Sequence, residues 1–365
     1  MKGFRVILMT ALCILLLSGC DLWMNGQYYV ATPHQSSSSG SSNTDAEVTS
    51  YLELRNKLTQ LVSQGTENAV IYYPSVEENV LTDHMESAIA FVTTSTPVGA
   101  YAVSDITYEY GTNTAKQAVA VTVTYSHGRS EILRIRHAQS MEEACVLIEG
   151  ALKNCDAGIT VQVTDYRELD VQQFVQDYVD DNPDVCMEMP QVTATVYPEK
   201  GVARVVEVLF SYQTSRDDLR GMQQTVSPIF NSAELYVSGD GEDSEKYLQL
   251  YAFLMERHDY QIETAITPAY HLLRHGVGDC KAFATVYAAM CRRAGLYCQV
   301  VSGTREGESW YWNVISDGSN LYYVDLLACN EQGNYDARLQ EDMQGYVWDY
   351  DQFWLEPEET VPETT

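Results

Sequence analysis

Two stretches of the chain alternate apolar and polar residues in the manner of β-strands. Residues 105–129 and 192–216 align with each other without a gap, so that Val119 and Val206 occupy matching positions. Each stretch is interrupted by a glycine-containing sequence of the kind that connects hairpin strands. The pattern therefore predicts two antiparallel strands in each stretch.

Helical patterns precede both strand pairs. Apolar residues recur at three- to four-residue spacing over 80–92 and 171–179, and a shorter strand pattern precedes each helix, at 69–73 and 159–163. Another amphipathic helix precedes each of these strands. The predicted unit is α-β-α-β-β, in two tandem copies, and duplication of a small α+β module explains two copies better than a solenoid, which usually needs three or more. Adhesion, spacing and ligand capture remain open as its roles.

A different pattern begins after the polar break at 238–246. A helix is predicted from Cys280, with Phe283 and Met290 on its apolar face, Asp279 as its N-cap and Gly295 at its C-terminal end. Strand and hairpin sequences follow over 297–304, 309–320 and 321–327. A helix followed by antiparallel strands is the order of a papain-like core.

These patterns give an α+β fold class and a division into domains. We expect the first α+β repeat at 47–138, the second at 139–237, the C-terminal domain at 238–356 and an acidic tail at 357–365.

Composition narrows the functional classes. The 365 residues are 45% hydrophobic, which is enough for more than one core, and they carry a formal net charge of -29. Such an excess of acid argues against nucleic-acid binding and against a basic membrane-facing surface. No C-x-x-C sequence is present among the nine cysteines, and we expect neither a metal site nor a cofactor. The disulfide pattern stays open.

The N-terminus resembles that of a bacterial lipoprotein. Lys2 and Arg5 precede an apolar run at 6–17, which is too short to span a bilayer, and the run ends in the sequence Leu-Ser-Gly-Cys at Cys20. This sequence resembles a lipobox, which implies a signal peptide at 1–20 and lipid on Cys20. A plain signal peptide that contains a cysteine is the alternative. The serine-rich residues 21–46 then form a tether to the membrane.

A set of short motifs in the C-terminal domain resembles the transglutaminase-like superfamily of cysteine enzymes. The motifs are Gly278-Asp279-Cys280, Gly295-Leu296, Gly303, Trp312-Asn313-Val314 and Tyr323-Val324-Asp325. The resemblance implies that Cys280 matches the nucleophile and Asp325 the acid that orients a catalytic histidine. The histidine itself is expected two residues before Trp312.

Trp310 stands at the histidine position. An indole has no nitrogen that can accept a proton from sulfur. In one well-studied triad hydrolase, loss of the base lowers turnover on the order of a millionfold. Alternation along the strand places Trp310 on the same face as Trp312, where it either closes an aromatic groove over Cys280 or fills the core.

Two functions follow from this substitution. The first is a lipid-anchored protein at the extracytoplasmic face of the membrane, with an inactive transglutaminase-like domain that binds a peptide, protein or cell-wall ligand or serves a structural role. The second is an active cysteine peptidase or acyl transferase in which Cys280 uses an unconventional base. His275 is the first candidate for that base, followed by His271 and His258; a partner protein is a further source.

Overall fold

The computed structural model describes residues 45–112, 116–237, 239, 241–262 and 265–348. The predicted signal peptide, Cys20 and most of the predicted tether lie outside these residues, as does the predicted acidic tail. Among the described helices, none has the length and apolar character needed to cross a bilayer.

The first repeat region folds into a four-stranded sheet with helices packed on it. Its order is β1-β2-β4-β3, where β1 pairs in parallel with β2 and the other pairs are antiparallel. The elements are β1 (Ala46–Glu47), α1 (Tyr51–Ser63), β2 (Asn68–Pro74), α2 (Glu78–Ser95), α3 (Pro97–Ala102), β3 (Val103–Thr112) and β4 (Lys116–Tyr125). Alternate residues of β2 and β4 meet the apolar faces of α1 and α2, as Ile71, Val119, Leu58 and Leu81 do in the buried core.

The second repeat region has a sheet with the same arrangement. A short helix α4 (Arg129–Ile132) leads into the sheet, whose order is β5-β6-β8-β7 and whose first pair is again parallel. The elements are β5 (Arg136–Ser140), α5 (Met141–Lys153), β6 (Gly158–Asp165), α6 (Val171–Asp181), β7 (Gln191–Tyr197) and β8 (Arg204–Ser211).

The structure corrects the predicted unit at its start. Each sheet has a first strand, β1 or β5, that the α-β-α-β-β pattern omits, and the predicted boundary at 138/139 falls inside β5. Both are short edge strands, and β5 buries only Ala138, so neither produces the apolar alternation on which the prediction relied.

The C-terminal domain places one helix against an antiparallel sheet. The helices are α7 (Arg216–Tyr236), α8 (Asp243–Met255), α9 (Pro268–Tyr270), a π-helical turn at His271–His275, α10 (Cys280–Arg293) and α11 (Leu326–Gln332), with a 3-10 turn at Gln340–Asp342. The sheet has the order β13-β12-β11-β14, built from β11 (Cys298–Arg305), β12 (Glu308–Ser316), β13 (Leu321–Val324) and β14 (Tyr346–Trp348). Two short strands, β9 (Asp259–Tyr260) and β10 (Val277–Gly278), pair in parallel just before α10.

Helix α10 is the centre of this domain. All of its residues from Ala282 to Cys291 are buried. Helix α7, which the sequence assigned to the second repeat, contributes Val226, Phe230 and Ala233 to the same core. The C-terminal core therefore begins before the predicted boundary at 237/238.

Strand β12 is held close to β11 by a glycine. A Cβ atom on Gly303 would lie 2.7 Å from Trp312 Cη2 and 2.3 Å from the Val347 carbonyl oxygen. Only glycine leaves room for Trp312 there, and Trp312 is fully buried as a result. This packing fixes the strand that carries Trp310.

Candidate functional site

Cys280 is the first residue of α10, as the sequence predicts. Asp279 is the N-cap, and its Oδ1 accepts a hydrogen bond of 2.8 Å from the Ala282 amide. Gly278 permits the approach, because a Cβ there would lie 3.1 Å from Leu272 Cδ1 and 3.2 Å from Ala282 Cβ. The cap prediction is confirmed, and the thiol lies beside the positive end of the helix dipole.

Burial nevertheless raises the pKa of the Cys280 thiol above its ordinary value. Hydrogen bonding to the Tyr311 backbone lowers the pKa, but less than burial raises it, and the negative charge of Asp279 adds to the increase. The helix terminus alone would favour the thiolate. In this environment the neutral thiol is favoured instead.

Trp310 is hydrogen-bonded to Asp325, the residue that the sequence resemblance predicts as the orienting acid. Its Nε1–H donates to Asp325 Oδ2 over 2.8 Å. The Tyr346 hydroxyl donates to the same oxygen over 2.8 Å, and a guanidinium nitrogen of Arg305 lies 3.4 Å from it. The indole thus satisfies the aspartate while offering Cys280 no proton acceptor.

The second carboxylate oxygen of Asp325 caps a helix. Oδ1 accepts hydrogen bonds from the amides of Leu327 and Ala328, at 3.0 and 3.1 Å, in the first turn of α11. The Asp325 side chain is 4% exposed. Both oxygens are therefore engaged in buried contacts that hold the sheet, α11 and β14 together.

Two side chains pack against Trp310. The Tyr260 ring centroid lies 5.6 Å from that of Trp310, and the Arg305 guanidinium lies 5.2 Å from the ring centroid on which it stacks. Trp310 and Cys280 both pack at the edge of the same hydrophobic core. Trp312 is buried in a separate cluster with Val301 and Val314, whereas Trp310 keeps a partly exposed surface.

The candidate substitute bases have contacts elsewhere. His275 is exposed, and its ring lies 5.2 Å from the His271 ring and 5.5 Å from that of Tyr270. His271 Nδ1 lies 3.0 Å from the Val277 carbonyl oxygen, and His258 Nδ1 lies 2.6 Å from that of Leu254. None of these contacts includes Cys280, and the role of His275 stays a prediction.

His271 and His275 have a spacing that can place two metal ligands on one helical face. Within the part of the chain that the structure describes, no group of three or more His, Cys, Asp or Glu side chains is placed to hold a metal ion. The seven cysteines of that part are free thiols.

Sequence reasoning missed two parts of the site. The first is the support of Asp325 by Arg305 and Tyr346, which reach it from β11 and β14. The second is Asp180 of α6, whose carboxylate lies 2.8 Å from Lys281 Nζ, next to Cys280. The aromatic residues near 346 were a signal only for packing, and no local pattern points from α6 to α10.

Residues 231–355 match the family model of the transglutaminase-like superfamily, so the chain carries a transglutaminase-like domain that contains α8, α10 and the sheet. No curated protein sequence matches this chain closely enough to count as a relative.

Two solved structures resemble the chain weakly. One, described as a crystal structure of a TGase, has 11% identity and a TM-score of 0.26, and the match covers 53% of this chain and 58% of that one. The other, described as "a putative protease from Parabacteroides distasonis", has 10% identity and a TM-score of 0.23, over 70% of this chain and 39% of that one. This chain therefore spans less than two thirds of either structure.

Proposed function

We propose that this chain is an exported, lipid-anchored bacterial surface protein whose transglutaminase-like domain binds a ligand without turning it over. The observation that carries the proposal is the 2.8 Å hydrogen bond from Trp310 Nε1 to Asp325. It fills the place of the histidine–aspartate contact with a group that cannot act as a base. The raised pKa of Cys280 supports the same conclusion, because a neutral thiol is a poor nucleophile.

The two N-terminal sheets support a tandem duplication. Each has a parallel first pair, and its last two strands form an antiparallel hairpin. In this proposal, the lipid on Cys20 and the tether attach the chain to the membrane, and the two modules connect the tether to the transglutaminase-like domain.

An active cysteine enzyme is the second candidate, and one observation favours it. Cys280 remains at the N-terminus of a capped helix and shares the domain with Asp325. A small thiolate fraction could then attack an acyl group without a dedicated base.

The two candidates are separated by ester turnover in the detergent-solubilised mature protein. We expect wild type and Cys280→Ala to hydrolyse p-nitrophenyl acetate at equal steady-state rates. A second pair, Trp310→His and Trp310→His with Cys280→Ala, tests whether a restored base is enough for turnover. A gain in ester hydrolysis that depends on Cys280 would show that the scaffold is intact and lacked only the base. Steady turnover by wild type that disappears in Cys280→Ala would refute the proposal and establish the second candidate.

The anchor has its own test. Cells that express the chain are grown with an alkyne fatty acid, and labelling is compared between wild type and Cys20→Ser. We expect label and membrane association in wild type and neither in the variant. Equal labelling of both would overturn lipid attachment at Cys20.

A further inference from the structure

A cleft runs between the second module and the helix that bears Cys280. It has a volume of about 770 Å³. One wall is a single face of α6, where Gln173, Asp177 and Asp181 recur at four-residue spacing. The opposite wall includes Lys281, the residue after Cys280, and Tyr311, whose backbone is hydrogen-bonded to the Cys280 thiol. The cleft therefore leads to the edge of the candidate site.

A smaller cavity of about 200 Å³ adjoins the cleft. Both cavities are bordered by the ion pair between Asp180 and Lys281, at 2.8 Å. The lining of the smaller one is mainly apolar and includes Met187, Met189 and Ile266. Methionine side chains adapt to apolar groups of different shape, which suits a pocket for a variable side chain.

The α6 side of the cleft carries more negative than positive charge. Lys281 pairs with Asp180, and Arg292 lies 3.4 Å from Asp181. The exposed carboxylate of Asp177 accepts a 2.7 Å hydrogen bond from the neutral Gln173 amide. The α6 wall thus presents negative charge to the cleft, and this charge complements a cationic group.

The rest of the cleft is suited to a peptide backbone. Amide and hydroxyl side chains line it, among them Gln176, Gln299, Ser302 and Tyr311. Such groups both donate and accept hydrogen bonds. A cleft of this size holds a short segment or a drug-sized molecule.

We infer that this cleft binds an extended peptide segment in which a basic side chain faces Asp177 and an adjacent apolar side chain enters the Met187–Met189 pocket. The inference rests on the proposed function, because it identifies the class of ligand that the inactive domain holds. The second module is then part of the binding site as well as a spacer.

The test uses fluorescence anisotropy on the detergent-solubilised mature protein. The probe is the end-capped, fluorescein-labelled peptide Gly-Lys-Lys-Leu-Lys-Gly, with Gly-Glu-Glu-Leu-Glu-Gly and Gly-Lys-Lys-Ser-Lys-Gly as comparisons. We expect the first peptide to bind more tightly than either of the others. The inference would be overturned if the glutamate peptide bound with equal affinity, or if none of the three peptides bound at concentrations up to millimolar.

Two pairs of variants locate the binding. Asp177→Lys should weaken binding of the lysine peptide about tenfold, which corresponds to roughly 1.4 kcal/mol, whereas Glu86→Lys, the same change on an exposed helix of the first module, should leave it unaltered. Met189→Ser, which removes the apolar contact without adding charge, should weaken it comparably, and Leu52→Ser on α1 should not. If Asp177→Lys and Glu86→Lys weakened peptide binding equally, the effect would come from net charge alone, and the site would be refuted.

The failure of this inference is distinct from failure of the proposed function. If no peptide binds and Cys280 turns over no ester, only the class of ligand proposed for the cleft is refuted. Turnover that depends on Cys280 refutes the non-catalytic proposal, whatever the peptides do.

Discussion

Asp325 and Cys280 are the two residues that the sequence resemblance assigns to a catalytic triad, and their surroundings differ. Asp325 accepts hydrogen bonds from side chains on β11, β12 and β14 and from the first turn of α11. Cys280 has backbone hydrogen bonds and a pKa raised by burial. The contrast teaches that the aspartate joins several elements of the domain, while burial favours the neutral form of the thiol.

The largest expected effect is on stability, at Asp325. Asp325→Ala should lower the free energy of unfolding by about 3–5 kcal/mol, because it removes a buried carboxylate that pairs with Arg305, accepts from two partly buried donors and caps α11. Denaturant unfolding measures the change. Cys280→Ala should cost less than about 1 kcal/mol, and Asp336→Ala, at a partly exposed ion pair with Arg338, should also cost little. A loss at Asp325 no larger than that at Cys280 would remove the contrast.

The next effect tests the indole as a hydrogen-bond donor. Trp310→Phe should lower the free energy of unfolding by about 1–3 kcal/mol, because it removes one donor to a buried carboxylate. Tyr311→Phe, one residue along the same strand, is the matched control and should change stability little.

A double-mutant cycle sharpens this result. Trp310 and Tyr346 donate to the same oxygen of Asp325, so their losses should be non-additive by about 0.5–3 kcal/mol. Strict additivity of Trp310→Phe and Tyr346→Phe in denaturant unfolding would mean that the two side chains do not share an acceptor in solution.

The smallest expected effect is at the contact between the second module and α10. Asp180 and Lys281 are 34% and 30% exposed, so Asp180→Asn should lower the free energy of unfolding by less than about 1 kcal/mol, and added salt should reduce the difference. Unfolding at low and high ionic strength measures it. A loss as large as that of Asp325→Ala would place the structural centre at the module contact instead.

Local patterns in the sequence predict much of the C-terminal fold. Asp279 and Gly295 mark the ends of α10, and β11, β12 and β13 follow in the expected order, with a turn at Asp317 and Gly318. These features depend on residues close together in the chain. The first strands of the two sheets were missed because short edge strands bury too little to leave a pattern.

Only part of the site can be predicted from the sequence. The sequence shows Trp310 where the resemblance expects a histidine, but its hydrogen bond to Asp325 joins β12 to the N-cap of α11. Tyr346 reaches the same carboxylate from farther along the chain, and Asp180 reaches Lys281 from another module. The thiol's pKa also depends on burial by the whole fold, which reverses the expectation from the helix terminus alone.

The most direct test of the account is the pH dependence of alkylation at Cys280 in the mature protein. Iodoacetamide labelling is followed at the peptide level by mass spectrometry, so that the other thiols do not interfere, and Cys280→Ala is the blank. The account predicts a midpoint at or above the ordinary cysteine value of about 8.5, because burial favours the neutral thiol. A midpoint well below that value would show that the site still activates the sulfur, and would contradict a domain that binds without turnover.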